Sequence, residues 1–427
     1  MRNATRLIIS LVVCTVFTSM GTLLMAYPLD GYEETGIRRV EGARLANEGL
    51  AIGGFQPPGA MLTTEQVDLR LVGKDVELPP ADPAFTSQIK DLLGEHADSY
   101  GITVLDITDP DSPRYAEHRG DYRQNVGSVG KLLAALGLFQ ALADTWPDDL
   151  DKRKAILRDT IITADNFAHS DHHTIRIFNV ETRELIRRPI KDGDKGELWE
   201  YLDWMLSVSS NSAAAMIMRD AMLLKHFGKD YPVSEEQIKT FFSTTSSGDL
   251  TRLFQKTFWE PVTRNGLSLD QIRQGSFFTR QGKANVNGGG NSYATARSLM
   301  QLLLKMEEGT LVDEWSSRQI KRLLYMTERR IRYASSPELK DAAVYFKSGS
   351  WYKCKPEEGF KCGAYRGNVI NYMNSVAIVE QEIDGVKLQY MVIVISNVLR
   401  QNGAVEHQKL GTNIHKLMKQ EHGVAAP

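Results

Sequence analysis

Strand-like patterns occur near both ends of this 427-residue sequence, and helix-like patterns fill the long region between them. The strand patterns lie at 102–107, 344–346, 376–379 and 387–398. Asp384-Gly385, between the last two, is a strong hairpin signal. The helical region runs from about 128 to 335, and residues 405–420 can form a closing helix. The sequence therefore predicts an α/β fold, in which both chain ends form one antiparallel β-sheet with flanking helices and an inserted all-α lobe.

The N-terminal segment is typical of a targeting sequence. Arg2 and Arg6 precede an apolar run from Leu7 to Phe17, as in secretory signals. Apolar character continues to Ala26, which is long enough to cross a bilayer without cleavage. We therefore expect export to the periplasm or the extracellular space. Residues 1–26 are predicted to be either a cleaved signal peptide or a retained anchor, with membrane contact through residues 7–26.

The rest of the chain divides by composition. Residues 27–95 are polar and contain Pro57-Pro58 and Pro79-Pro80, which predicts an irregular extension or linker. Residues 96–427 form the predicted globular body. Its helical lobe covers about 128–335, and its α/β lobe combines 96–127 with 336–420.

Charge and cysteine content exclude some functions. The 51 basic and 53 acidic residues give a net charge of −2, so no electrostatic attraction to nucleic acid is expected. Three cysteines are too few for a disulfide scaffold or a zinc site built from cysteine. Cys354 and Cys362 could form a bridge across a hairpin in an oxidising compartment, or could remain two free thiols.

One short motif pairs a serine with a lysine. Ser128-Val129-Gly130-Lys131 opens a segment with apolar residues at helical spacing, so residues 128 and 131 share one face. A serine hydroxyl needs an adjacent base to act as a nucleophile. Lysine can serve as that base when burial lowers its pKa.

Two further motifs supply polar groups of the kind that hold an amide substrate. Ser209-Ser210-Asn211 precedes an alanine-rich helix, and its serine can relay a proton while its amide binds a carbonyl. Lys347-Ser348-Gly349-Ser350 follows a strand signal; lysine and hydroxyl groups there can hold a carboxylate, and the glycine allows close approach. Each motif alone is common and is also compatible with a solvated helix or strand end.

The three motifs together, in this order, resemble the serine β-lactamase and penicillin-binding protein superfamily, nearest to class A β-lactamases. The resemblance covers about residues 96–420 and implies a β-lactamase/transpeptidase-like fold. It implies that Ser128 is acylated, that Lys131 activates it, and that Ser209 passes a proton while Asn211 positions the amide. It further implies that Lys347 and Ser348, beside Gly349, hold a carboxylate. The backbone N–H groups of Ser128 and Ser350 would form the oxyanion hole.

One departure from the family affects deacylation. Class A enzymes carry a Glu-x-x-Leu-Asn loop, which is not found here; Glu260, in Glu260-Pro261-Val262-Thr263-Arg264-Asn265, is the nearest match. Without such a glutamate, hydrolysis of the acyl-enzyme should be slow. The sequence therefore predicts a β-lactamase-like serine hydrolase for a small β-lactam. A D-alanyl-D-alanine peptidase acting on peptidoglycan stems and a non-hydrolytic penicilloyl-binding sensor remain alternatives.

The predicted insertion at about 165–195 contains His169-Ser170-Asp171-His172-His173. Two imidazoles and a carboxylate could bind zinc, but the stretch is polar and has no helical histidine pair. We interpret it as an exposed loop, and we expect neither a metal nor a cofactor.

Overall fold

The computed structural model describes residues 30–50, 57–327 and 330–424. The predicted targeting segment, residues 1–26, lies outside these ranges, so its prediction stays open. In the described ranges, no helix is both long and apolar enough to cross a membrane.

The strands are β1 (Tyr100–Asp106), β2 (Arg114–His118), β3 (Ile161–Thr163), β4 (Ile175–Phe178), β5 (Leu185–Arg188), β6 (Lys195–Glu197), β7 (Ile272–Arg273), β8 (Tyr293–Ala294), β9 (Ala343–Lys353), β10 (Ile370–Ile383) and β11 (Val386–Asn397).

The helices are α1 (Gly31–Thr35), α2 (Arg38–Asn47), α3 (Pro83–Asp91), α4 (Lys131–Thr145), α5 (Leu150–Asp159), α6 (Leu198–Leu206), α7 (Asn211–Phe227), α8 (Glu235–Thr244), α9 (Ser247–Phe258), α10 (Glu260–Arg264), α11 (Arg280–Asn285), α12 (Ala296–Glu307), α13 (Glu314–Tyr325) and α14 (Gly403–Glu421).

The main sheet has five antiparallel strands in the order β2-β1-β11-β10-β9. It joins strands from both chain ends, as the pairs Val104↔Val392 and Ala377↔Phe346 illustrate. The predicted fold class is therefore confirmed. The turn between β10 and β11 is the predicted Asp384-Gly385, and both residues have positive φ, 50° and 83°.

Both faces of the sheet are buried, because alternate strand residues point to opposite sides. Val392 and Val394 pack with Leu410 and Ile414 of α14 and with Phe85 of α3. Their neighbours, such as Met391 and Ile393, face the helical lobe. On β9, Tyr345 also faces the lobe. Lys347 lies two residues further along β9, so its side chain points to the same face as Tyr345, towards the helical lobe.

The inserted lobe is not purely helical, contrary to the prediction. It contains the two-stranded sheets β3–β6, β4–β5 and β7–β8. These strands have two to four residues each, which is too short for a two-residue periodicity to be detected in the sequence.

The described parts of residues 27–95 also differ from the predicted linker. They contain α1, α2 and α3, and Phe85 and Ile89 of α3 belong to the core beneath the sheet. Helix α2 has a strongly charged sequence, but its Arg39 is buried in a bidentate ion pair with Asp203 of α6. The polar composition of residues 27–95 predicted that their charged side chains are solvated. In the structure, the Arg39 charge is instead buried in an ion pair.

We expect Arg39→Ala to destabilise the protein by about 3–5 kcal/mol, because it leaves the Asp203 carboxylate buried without its charged partner. Urea unfolding followed by circular dichroism measures the change. The matched control is Arg44→Ala on the same helix, whose ion pairs with Glu41 and Glu48 are partly exposed and should contribute less than about 1 kcal/mol. Equal effects of the two variants would contradict the prediction.

Candidate active site

Ser128 and Lys131 are brought together by a tight turn. Residues Gly127–Gly130 form a 3-10 helix that continues directly into α4, which begins at Lys131. With three residues per turn, positions i and i+3 of such a helix lie one above the other. Lys131 Nζ is accordingly 3.0 Å from Ser128 Oγ. The sequence expectation that the amine reaches the hydroxyl agrees with this geometry.

The turn before α7 directs two more groups at the same amine. Ser209 has a left-handed backbone with φ of 65°, which is uncommon for a residue other than glycine. Its carbonyl oxygen lies 2.6 Å and its Oγ 3.2 Å from Lys131 Nζ. Asn211 Oδ1, at the first position of α7, lies 2.8 Å from the same nitrogen.

Lys131 is fully buried, and its amine donates to four neutral oxygens, on Ser128, Ser209 and Asn211. Burial lowers the pKa of Lys131 to about 7, while the negative charge of Asp171 acts in the opposite direction. The amine is therefore poised to exchange a proton near neutral pH. The ring of Phe278 covers it from another side, with Nζ 5.0 Å from the ring centroid.

The third motif lies on the edge strand β9, on the other side of Ser209. Lys347 Nζ is 2.9 Å from Ser209 Oγ, so this hydroxyl lies between the two lysines. A serine in that position can pass a proton from one side of the cleft to the other. Lys347 and Ser348 are both nearly buried at the base of the cleft.

Two glycines allow β9 to approach the Ser128 turn. A Cβ at Gly349 would collide with the carbonyl oxygen of Val126 and would lie 2.9 Å from the backbone nitrogens of Ser128 and Val129. Gly127 has φ of 55°, and a Cβ there would lie 3.1 Å from the backbone nitrogen of Ser350. The backbone segments of Ser128 and Ser350 are therefore direct neighbours, as an oxyanion hole made from their N–H groups requires.

One cleft of about 440 Å³ between the lobe and the sheet is lined by Ser128, by Ser209 and Asn211, and by residues 347–350. The lining contains one lysine, Lys347, and one arginine, Arg332, and none of the described lining residues is Asp or Glu. Arg332, with φ of 57°, donates from Nη2 to Ser350 Oγ at 3.0 Å. Sequence reasoning missed Arg332, because no motif or periodicity marks it; its place in the cleft is a consequence of the tertiary fold.

Glu260 does not join this group. It is exposed at the first position of α10 and is not among the residues that line the cleft. The loop that approaches the start of α4 carries Phe278 and Gln274. A Cβ at Gly130 would collide with Gln274 Oε1, so the glycine leaves room for this side chain.

The histidine-rich loop differs in part from its predicted exposed state. His169 is exposed and contacts Asp192, at 2.6 Å between Nε2 and Oδ1. Asp171, however, has a buried side chain bound to the start of α7, and His172 and His173 line the cleft. Among the described residues, no group of three or more His, Cys, Asp or Glu side chains could hold a metal ion.

Cys354 and Cys362 are joined in a disulfide with a Cα–Cα distance of 6.2 Å. The bridge closes the loop that leads from β9 back to Tyr365, which lines the cleft. The ring of Tyr365 lies under the Arg332 guanidinium, 4.8 Å from Cζ to the ring centroid.

Comparison with known proteins identifies the family. The model of the β-lactamase enzyme family matches residues 84–362. The chain therefore belongs to this family and is a serine hydrolase of the β-lactamase and D,D-peptidase kind. No curated protein matches the sequence.

Several solved structures are similar at low identity. An acyl-enzyme complex of a PBP-A mutant with penicillin G is 14% identical, with a TM-score of 0.48, over 80% of this chain and 100% of that one. A β-lactamase from Chitinophaga pinensis DSM 2588 is 14% identical, with a TM-score of 0.46, over 78% and 98% of the two chains. A β-lactamase from Sphaerobacter thermophilus DSM 20745 is 14% identical, with a TM-score of 0.48, over 80% and 97%.

We expect Gly349→Ala to reduce covalent labelling by a fluorescent penicillin about a hundredfold. The added methyl group must push β9 away from the Ser128 turn, and a displacement of about 1 Å at a reacting centre can cost this much. The matched control is Gly248→Ala on α9, where a Cβ would meet no atom closer than 3.5 Å. Labelling of Gly349→Ala at the wild-type rate would show that the close approach is not needed.

Proposed function

We propose that this protein forms an acyl-enzyme on Ser128 with substrates that carry a carboxylate beside a strained or terminal amide, and that it releases the acyl group slowly. The observation that carries the proposal is the buried Lys131 amine, held 3.0 Å from Ser128 Oγ with a pKa lowered to about 7. An amine in that state can accept the proton that a serine must lose to attack a carbonyl carbon.

The acylation step follows from the contacts. Lys131 Nζ takes the proton of Ser128, and Oγ forms a bond to the carbonyl carbon of the substrate. The resulting oxyanion is bound by the N–H groups of Ser128 and Ser350. The C–N bond then breaks, and Ser209 gives its proton to the leaving nitrogen while it regains one from Lys131, 3.2 Å away. Asn211 binds the amide of the acyl group.

The charge of the cleft supports an anionic substrate. Lys347 and Arg332 lie on the β9 side, next to Ser348 and Ser350, and the described lining contains no carboxylate to repel an anion. We therefore assign the substrate carboxylate to this side. A β-lactam and a D-alanyl-D-alanine stem both present a carboxylate next to the scissile amide.

Slow release is proposed because none of the described residues that line the cleft is an Asp or Glu that could activate water. Glu260 is exposed outside the cleft, and the neighbour of Lys131 on the loop side is the ring of Phe278. This feature favours the second candidate function, a D-alanyl-D-alanine peptidase of peptidoglycan stems, over an efficient β-lactamase. A penicilloyl-binding sensor would be the extreme case, in which the acyl group is never released.

We also propose that the protein is exported, since these substrates and a disulfide both belong to an extracytoplasmic, oxidising compartment. The proposal is tested by locating the protein after cell fractionation, with the Cys354 and Cys362 thiols titrated in the same sample. Recovery in the cytoplasm with both thiols reduced would contradict it.

We expect intact mass spectrometry to detect one penicilloyl adduct on the wild type and none on Ser128→Ala, because the nucleophile is then absent. The adduct should persist for minutes to hours after free penicillin is removed, in the absence of a water-activating carboxylate. A class A β-lactamase serves as the control for fast decay. If the wild type stays unmodified while a control penicillin-binding protein is labelled, the proposed function is wrong.

The two candidate activities differ in their turnover. A β-lactamase should hydrolyse nitrocefin over many cycles, whereas a peptidase should release D-alanine from a muropeptide and leave nitrocefin largely bound. We expect the second pattern. Rapid nitrocefin turnover without D-alanine release would assign the first activity instead. Detectable acylation with neither activity would identify the sensor.

The rate of acylation should depend on pH through Lys131. Because burial lowers the pKa of Lys131 to about 7, the amine is protonated and inactive as a base below this value. The second-order acylation rate constant should therefore fall about tenfold per unit below pH 7 and level off above it. Quenched-flow mass spectrometry between about pH 5 and 9 measures this profile. A flat profile across pH 7 would exclude Lys131 as the base.

A further inference from the structure

The Asp171 carboxylate reaches the active-site turn from the inserted loop. Its side chain is only 1% exposed. Oδ2 accepts three hydrogen bonds at the start of α7: from Ser210 Oγ at 3.0 Å, from the Asn211 N–H at 2.7 Å and from the Ser212 N–H at 3.0 Å. Oδ1 contacts His173 Nδ1 at 2.6 Å. One carboxylate thus binds all three residues that follow Ser209.

These bonds restrain the part of the chain that carries Ser209 and Asn211. The Ser209 backbone, with φ of 65°, is in a region that costs a non-glycine residue free energy, so surrounding contacts must hold it there. A carboxylate at a helix N-terminus is stabilised by the exposed N–H groups and the helix dipole. Asp171 therefore fixes the turn from outside, while Lys131 binds it from inside.

Asp171 also carries a negative charge close to the active-site amine. Burial acts to raise the pKa of Asp171, but the hydrogen bond and the charge of His173, together with backbone N–H donors, lower it well below its usual range. The carboxylate is therefore ionised at neutral pH. Its charge raises the pKa of Lys131 against the effect of burial. Lys347 of β9 faces the same region, since both lysines contact Ser209 Oγ.

We propose that Asp171 is a positioning residue for the acylation of Ser128, which holds the Ser209–Asn211 turn against Lys131 and supplies the negative charge that balances the Lys131 amine. The inserted loop is then part of the catalytic apparatus. This inference rests on the proposed function for its kinetic part. Its electrostatic part concerns the resting enzyme and is tested without a substrate.

Two variants separate the two effects. Asp171→Asn keeps the shape of the side chain and removes the charge, whereas Asp171→Glu keeps the charge and displaces the carboxylate by one methylene. The matched control is Asp313→Asn. Like Asp171, Asp313 accepts a backbone N–H at the start of a helix and pairs with a basic side chain, here Arg153, but it does not line the cleft. The full chain is used throughout, and thermal melting reports the folding of each variant.

The first measurement is NMR titration of isotope-labelled lysine amines, with Lys131 assigned through Lys131→Arg. We expect Asp171→Asn to lower the pKa of Lys131 by about half a unit or more, since a nearby opposite charge is lost. Asp171→Glu and Asp313→Asn should leave it close to the wild-type value. This outcome is read even when no substrate acylates the protein, so failure of the proposed function does not obscure it.

The second measurement is the pH profile of penicillin acylation. Both Asp171 variants should lose about tenfold or more of the maximal rate, because the turn is no longer held in place. The acid limb should move to lower pH in Asp171→Asn alone. Asp313→Asn should keep the wild-type profile even if its melting temperature falls.

Three results would overturn the proposal. One is an unchanged pKa of Lys131 in Asp171→Asn. Another is wild-type acylation by both Asp171 variants. The third is a loss of acylation rate in the Asp171 variants that is proportional to their loss of melting temperature and that Asp313→Asn shows as well. If Asp171→Asn does not fold, Asp171→Glu provides the test. Its maximal acylation rate should fall, while the acid limb of its pH profile stays at the wild-type position.

Discussion

The placement of one lysine amine in the interior determines how the rest of this active site must be built. A buried ammonium is costly unless its hydrogen bonds are made, and Lys131 finds its acceptors on Ser128, Ser209 and Asn211. Those acceptors belong to the turn before α4 and to the turn before α7, 78 to 80 positions further along the chain. Because neutral oxygens satisfy the donors without fixing the charge, the amine can lose its proton near neutral pH. The same contacts therefore provide the hydrogen bonds that the buried Lys131 amine needs and allow it to act as a base.

The elements around the amine are held by contacts far from it. Glycines at 127 and 349 let the edge strand meet the Ser128 turn at backbone distance. Helix α6, which leads into the Ser209 turn, is bound through Asp203 to Arg39 of α2, and Arg39 also donates to the carbonyl of Met326 at 2.6 Å. Helix α2 thus connects two parts of the chain that enter the cleft. Helices α1, α2 and α3 therefore belong to the hydrolase body, even though residues 27–95 have a polar sequence.

The sequence predicted those features that depend on local pattern. The long apolar runs of β10 and β11 and the Asp384-Gly385 turn define the sheet, and the three motifs mark residues that the fold brings into one cleft. The burial of a charged residue in an ion pair could not be predicted, because the sequence pattern is the same whether the side chain is solvated or paired. Arg39 was therefore assigned to a linker, and Asp171 to an exposed loop. Arg332 enters the cleft through tertiary structure alone, and the short strands of the insertion are below the length at which periodicity is visible.

The two halves of the proposed reaction make different demands on this cleft. Acylation needs a base next to Ser128, a relay to the leaving nitrogen and donors for the oxyanion, and the described residues supply groups for each of these. Deacylation needs a base next to a water molecule, and the described lining contains no carboxylate for that purpose. Lys131 becomes neutral again once Ser209 has passed its proton to the leaving group, but the Phe278 ring covers it from the loop side. In the proposed reaction, attack of water on the ester is therefore the step for which the described cleft is least equipped.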